Sequence, residues 1–131
     1  QLATRLYQNT ARVHFDALAQ QSSRFGKRLI YGGVAISIAR ALAFNGLANA
    51  ALLLGINAGR HVNPLFAGDT VYAWSQVLDT VDLGRAGALR LRLVATKNRP
   101  CADFPYKNEA GEYAPEVILD FDYWAAIPKR A

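Results

Sequence analysis

The 131-residue sequence predicts an α+β domain in which one apolar helix packs against a sheet of four largely antiparallel strands. Two observations carry this. Apolar residues recur at three- and four-residue spacing from Gly33 to Asn45, through Val34, Ile38, Ala41 and Leu42, and after Gly46 the period changes to two. The later segments are joined by hairpin- or loop-length connections with no helical period in them, which disfavours parallel crossovers.

Composition bounds the partners. At 52% hydrophobic and 19% charged the chain builds a real core as one domain over residues 1–131, and no window approaches the ~18 uninterrupted apolar residues of a membrane span. A net charge of +5 favours an anionic partner, but the basic residues are scattered, without a dense run or an aromatic RNA-binding signature. A nucleotide-bearing small ligand is therefore preferred over nucleic acid, and no membrane partner is expected. The single Cys101 excludes an internal disulfide, which points to a reducing cytoplasm, and a loop position after Pro100 makes it a packed thiol. Because the chain opens on Gln1 and contains no Met, it is expected to be part of a longer polypeptide.

In chain order, Leu2 and Leu6 share one face of a helix end, and Asp16 before Ala-Leu-Ala-Gln is an N-cap. Ser22 to Ile30 reads as a polar loop. The main helix opens at Tyr31-Gly32-Gly33 and should close on Gly46 as C-cap; its small residues Ala35, Ser37, Ala39, Ala41 and Ala43 predict close packing on several sides. A first strand carries Leu52, Leu54, Ile56 and Ala58 on one face and runs toward His61 until Pro64 interrupts it. Gly68-Asp69 is a turn, Thr70 to Leu78 a second strand, and Asp79 to Gly87 a connector. Ala88 to Thr96 alternates most cleanly, with Leu89, Leu91 and Leu93 inward and Arg90 and Arg92 toward solvent or ligand. After a long loop, Glu116 to Ala126 places Val117, Leu119, Phe121 and Tyr123 opposite Asp120 and Asp122.

Chemistry concentrates between Tyr7 and Gly33. His14 is one of two histidines and sits in a segment too polar for a core helix. The rival, His61, stands at a strand end beside Asn63 and Pro64, where a hydrogen-bonded structural role is expected.

The order of elements, Tyr31-Gly32-Gly33 at the helix start and Pro64-Leu-Phe-Ala-Gly-Asp-Thr70 before a strand resemble the hot-dog fold of MaoC-like hydratases across nearly the whole chain. More narrowly, RLYQNTARVHFD, SRFGKRLIYGG, FAGDTVYAWSQVLD, GALRLRLVATKNRPCADFP and VILDFDYW resemble the C-terminal half of the mesaconyl-CoA hydratases, a family built of two fused hot dogs. The resemblance implies a long central helix wrapped by the sheet, a first strand upstream of Gln1, and a second hot-dog repeat or subunit in a homo-oligomer. It also implies reversible hydration of mesaconyl-CoA to β-methylmalyl-CoA, with no cofactor beyond the coenzyme A of the substrate.

The wider family carries Asp-x-Asn-Pro-aliphatic-His, in which Asp and His hold and activate water. On this pattern the His is His14, the aliphatic Val13, and the Asp position is Asn9; Ala11 and Arg12 replace the Asn and Pro. An Asn amide orients water but takes no proton, so His14 is expected to transfer the proton and Asn9 to position the water. Gly32, with Gly33 beside it, aligns with the helix-start glycine that binds the thioester oxygen. Arg12, Arg24, Lys27 and Arg28 are candidates for the coenzyme A phosphates or a substrate carboxylate. An (R)-specific enoyl-CoA hydratase of other chain type and a non-catalytic thioester-binding or dimerisation module remain alternatives. A hot-dog thioesterase is weakened because no carboxylate lies between Val34 and Leu47.

Overall fold

The computed structural model describes residues 1–50 and 52–129. Helices α1 (Leu2–Leu6), α2 (Arg12–Phe15), α3 (Ala17–Gln21), α4 (Gly32–Leu42) and α5 (Phe44–Leu47) precede strands β1 (Leu52–His61), β2 (Val71–Asp82), β3 (Ala86–Lys97) and β4 (Val117–Pro128). The strands form one antiparallel sheet in the order β1-β4-β3-β2.

The core follows from the period-two pattern of the two central strands. Leu91 and Leu93 of β3 and Leu119, Phe121 and Tyr123 of β4 alternate onto the face that meets α4, where they are buried with Ala35 and Ala39. Each fully buried leucine is worth ~1.5–3 kcal/mol. Ala35 and Ala39 are one helical turn apart, and their small side chains let the helix lie close on the sheet.

Several elements differ from expectation. Helix α4 is covered on one side only among the described residues: Ser37 and Ala41 are exposed, as are Ile38 and Leu42 at 39% and 48%. Gly46 does not cap α4, which ends at Ala43 (φ −78°) and continues directly into α5, so no left-handed residue is needed there.

The Asp79–Gly87 connector is mostly strand. β2 runs on to Asp82 and β3 starts at Ala86, leaving a tight turn in which Gly84 takes φ +82° and donates its N–H to Asp82 Oδ1 at 2.7 Å. A bulge between Val77 and Asp79 shifts the alternation by one residue, which hid the second half of the strand. Bulges between Leu53 and Gly55 and between Ile56 and Ala58 likewise break the single apolar face expected of β1; Leu52, Leu53, Leu54 and Ile56 are all exposed on this edge strand.

Arg90 and Arg92, expected to point to solvent or a ligand, are partly exposed and are also engaged by acidic side chains. Arg90 pairs across the strands with Asp122 (2.7 Å), and Asn57 adds a bond at 2.9 Å, while Arg92 approaches Asp120 at 3.6 Å. The Asp16 cap is as expected, its Oδ1 accepting from Ala19 N at 2.8 Å. No helix among the described residues is long and apolar enough to cross a membrane.

Candidate active site

Three chain segments meet beside the start of α4. Leu29 N–H donates to Val13 O at 3.1 Å and Ile30 N–H to Leu65 O at 2.8 Å, so the stretch leading into the helix is clamped between α2 and the chain that follows β1. That second segment is itself held to β4, through Val62 N–H to Ile118 O at 3.0 Å and Asn63 Nδ2 to Val117 O at 2.7 Å. Between them opens a cleft of about 620 Å³ whose walls include His14, Arg24, Tyr31, Gly32, Gly33 and His61.

The orientation of His14 is set by the same clamp. Its Nδ1 lies 3.0 Å from Leu29 O, and since a carbonyl only accepts, Nδ1 carries the proton. Nε2 has no hydrogen-bond partner among the described residues and so keeps its lone pair in the neutral ring. The Tyr31 ring meets His14 edge-on with centroids 5.6 Å apart.

Gly32 and Gly33 occupy the first two positions of α4, and neither needs glycine for its φ. What requires glycine is contact. A Cβ on Gly32 would stand 2.6 Å from His61 Cε1, and one on Gly33 would stand 2.6 Å from Tyr31 Cε1. Among the described residues neither Gly32 N–H nor Gly33 N–H has a backbone or side-chain acceptor, as the first turn of a helix dictates. No acidic side chain occupies that turn. The helix start therefore offers free donors and the positive end of the helix dipole to the cleft.

His61 is the residue that sequence reasoning misplaced. Its imidazole lines the cleft and makes no hydrogen bond among the described residues, contrary to the bonded structural role expected of it. The only available signal was position, a histidine at a strand end just before a proline, and that does not reveal which helix the ring abuts.

Asn9 stands apart from the cleft walls: its Oδ1 accepts from Ala11 N at 2.9 Å, a turn that sets the entry to α2. The four basic candidates separate. Arg24 lines the main cleft, its guanidinium 4.3 Å over the Phe25 ring. Lys27 and Arg28 line a side pocket of about 160 Å³ that shares His14, Leu29 and Ile30 with the cleft; Arg28 also donates to Phe15 O at 3.1 Å. Arg12 turns away into an ion pair with Asp16 at 2.8 Å. Asp16 is held below the usual carboxylate range by the Ala19 amide first and by Arg12. Cys101 Sγ lies 3.4 Å from Thr96 Oγ1, outside the cleft. Among the described residues no three His, Cys, Asp or Glu side chains gather as a metal site requires.

The sheet, the helix packed on it and the cleft at the helix start make up a hot-dog fold. The chain is 60% identical over 131 residues to a β-methylmalyl-CoA dehydratase of Chloroflexus aurantiacus and 59% identical to a mesaconyl-CoA hydratase of Cereibacter sphaeroides, matching over 98% of its own length in each case. It spans 37% of the length of these curated relatives. A solved structure from Chloroflexus aurantiacus, described as a MaoC domain protein dehydratase, superposes with a TM-score of 0.95 at 57% identity, over 99% of this chain and 38% of that one. A Mycobacterium tuberculosis protein with a double hot-dog fold gives a TM-score of 0.65 at 27% identity, over 92% of this chain and 32% of the other. No protein-family model matches.

Proposed function

We propose that this domain is the catalytic half of an acyl-CoA hydratase that reversibly converts mesaconyl-CoA to β-methylmalyl-CoA. The observation that carries the reading is the convergence on one cleft of a histidine with a free Nε2 and the unpaired amides of a helix start. The kinship with the two named enzymes supplies the substrate class.

In this scheme water, oriented at the mouth of the cleft, loses a proton to His14 Nε2 as its oxygen bonds to the β-carbon. The C=C electron pair moves toward the thioester, and the oxygen that gathers charge is met by Gly32 and Gly33 N–H. The proton on Nε2 then passes to the α-carbon, which regenerates the base and accounts for both hydrogens of the water. Asn9, expected to position the water, contributes instead by holding the turn from which His14 projects. No metal or redox carrier takes part, and coenzyme A enters only within the substrate.

Arg24 in the cleft and Lys27 and Arg28 in the side pocket are offered to the distal carboxylate and the coenzyme A phosphates. A second hot dog, whether repeat or subunit, covers the exposed apolar edge formed by Leu52, Leu54 and Ile56, with residues 1–131 as the C-terminal unit. The cytoplasm is the compartment this reading implies.

The test is the full-length protein incubated with mesaconyl-CoA and, separately, crotonyl-CoA, following loss of the enoyl-thioester absorbance. Turnover of mesaconyl-CoA alone supports the proposal. Preferential turnover of crotonyl-CoA makes the protein a hydratase of unbranched chains, and saturable thioester binding without turnover of either makes the domain a binding module.

A further inference from the structure

We propose that His61 donates its ring N–H to the thioester oxygen beside the first-turn amides of α4, so that the oxygen site is built by helix and sheet together. The inference rests on the acyl-CoA hydratase reading and adds to it a residue from the opposite wall of the cleft.

The placement is geometric. In a helix every Cα–Cβ bond leans toward the N-terminus, the same direction in which the unpaired first-turn N–H groups project. The His61 ring stands where a Cβ of Gly32 would be, with Cε1 2.6 Å and Cδ2 3.0 Å from that position. It is therefore on the donor side of the helix start, in the wall of the cleft that an acyl group would enter.

The ring is held there from the sheet. His61 is the last residue of β1, paired with Leu119 of β4, and the next residue, Val62, is bonded to Ile118 O at 3.0 Å. Backbone pairing on β4 fixes where the side chain starts, and the missing Cβ at Gly32 fixes how closely it approaches. His61 is exposed, so its nitrogens, which have no hydrogen-bond partner among the described residues, are open to the cleft, and an imidazole carries at least one N–H in either protonation state.

The two histidines then divide the chemistry. His14 Nδ1 is committed to Leu29 O, which leaves Nε2 as an acceptor suited to a base. His61 has no such commitment and is the donor. Charge that develops on the thioester oxygen would be met from one side by backbone amides and from the other by the imidazole.

The experiment uses the full-length protein with two substitutions. His61→Phe keeps a ring of similar size without a donor, and His61→Gln restores an N–H at comparable reach. Loss of one donor of this kind lowers kcat by about 10²–10³-fold, which is expected for His61→Phe with KM little changed and with most of the rate recovered in His61→Gln. Raman spectra of bound butyryl-CoA, a saturated thioester, give a second readout: the carbonyl stretch should move less from its free position in His61→Phe than in wild type or His61→Gln. Wild-type kcat and carbonyl shift in His61→Phe would overturn the proposal. So would equal loss of kcat in both variants with an unchanged carbonyl shift, since that is the signature of packing. If wild type hydrates no enoyl-CoA at all, the hydratase reading fails, while the carbonyl shift still reports on the donor.

Discussion

The imidazole of His61 occupies the space that a side chain at Gly32 would need, its Cε1 lying 2.6 Å from the ideal Cβ position. Glycine at one position and histidine at the other are a fitted pair joining α4 to the end of β1.

Gly32→Ala should therefore force the His61 ring to shift and, because that ring is exposed and free to move, destabilise the full-length protein by less than the roughly 1–3 kcal/mol of an overpacked core. In a His61→Ala background the same change should be neutral or favourable, because Ala restricts the unfolded chain and then meets open space. Denaturant midpoints for the four members of the cycle test this, and an equal cost in both backgrounds would refute the pairing.

His14→Ala removes the proposed base and one hydrogen bond to Leu29 O. Single-turnover hydration should fall about 10²–10⁴-fold. Stability should fall by only ~0.5–1.5 kcal/mol, so that chemistry and folding separate in one variant.

Asn9 contributes an acceptor for Ala11 N–H at 2.9 Å, and a carboxylate supplies the same acceptor. Asn9→Ala should cost ~0.5–1.5 kcal/mol and slow hydration by displacing α2, whereas Asn9→Asp should restore both. Thermal unfolding and single-turnover rates on the two variants check this; equal damage from both would remove the turn as the cause.

The split among the basic residues predicts different kinetics. Lys27→Ala and Arg28→Ala should raise KM for mesaconyl-CoA by about 10-fold, the loss of one charge-assisted bond; an equal rise with crotonyl-CoA assigns the residue to the coenzyme A phosphates and a smaller one to the distal carboxylate. Arg12→Ala, which only frees Asp16, should alter neither. Steady-state kinetics on the two substrates are the measurement.

Asp122 is held below its ordinary value of 3.8, first by its bond to Arg90 and also by Asn57, against the opposing effect of burial. A depressed folded value means that the stabilisation is present in full above the unfolded value and is lost as pH falls through the folded one. Asp122→Asn should thus cost a constant amount between about pH 5 and pH 7, and the difference from wild type should shrink below about pH 4. Urea midpoints across that range give the curve; a difference that persists undiminished to pH 2 would contradict it.

Much of the architecture was legible because its causes are local. The alternation of Leu89, Leu91 and Leu93 with Arg90 and Arg92 defines β3 without reference to any other strand, and Asp16 caps α3 through a bond to a residue three positions away. Where a bulge intervened the alternation misled: β2 was cut short at Val77–Asp79, and β1 was given a single face that Leu53–Gly55 and Ile56–Ala58 break. A bulge depends on pairing with another strand, and a single segment carries no mark of it.

The sequence by itself determined the α+β class, the helix opening at the glycine pair, and His14 as the histidine to watch. Only the tertiary structure decided that His61 shares its cleft, that Asn9 is occupied by a turn, that Arg12 is spent on Asp16, and that both glycines are there to admit rings. The physical reason is range. Periodicity and capping are written within one turn or one strand, whereas the approach of His61 to Gly32 depends on how β1 pairs with β4 and how α4 lies on the sheet, and no local pattern encodes that approach.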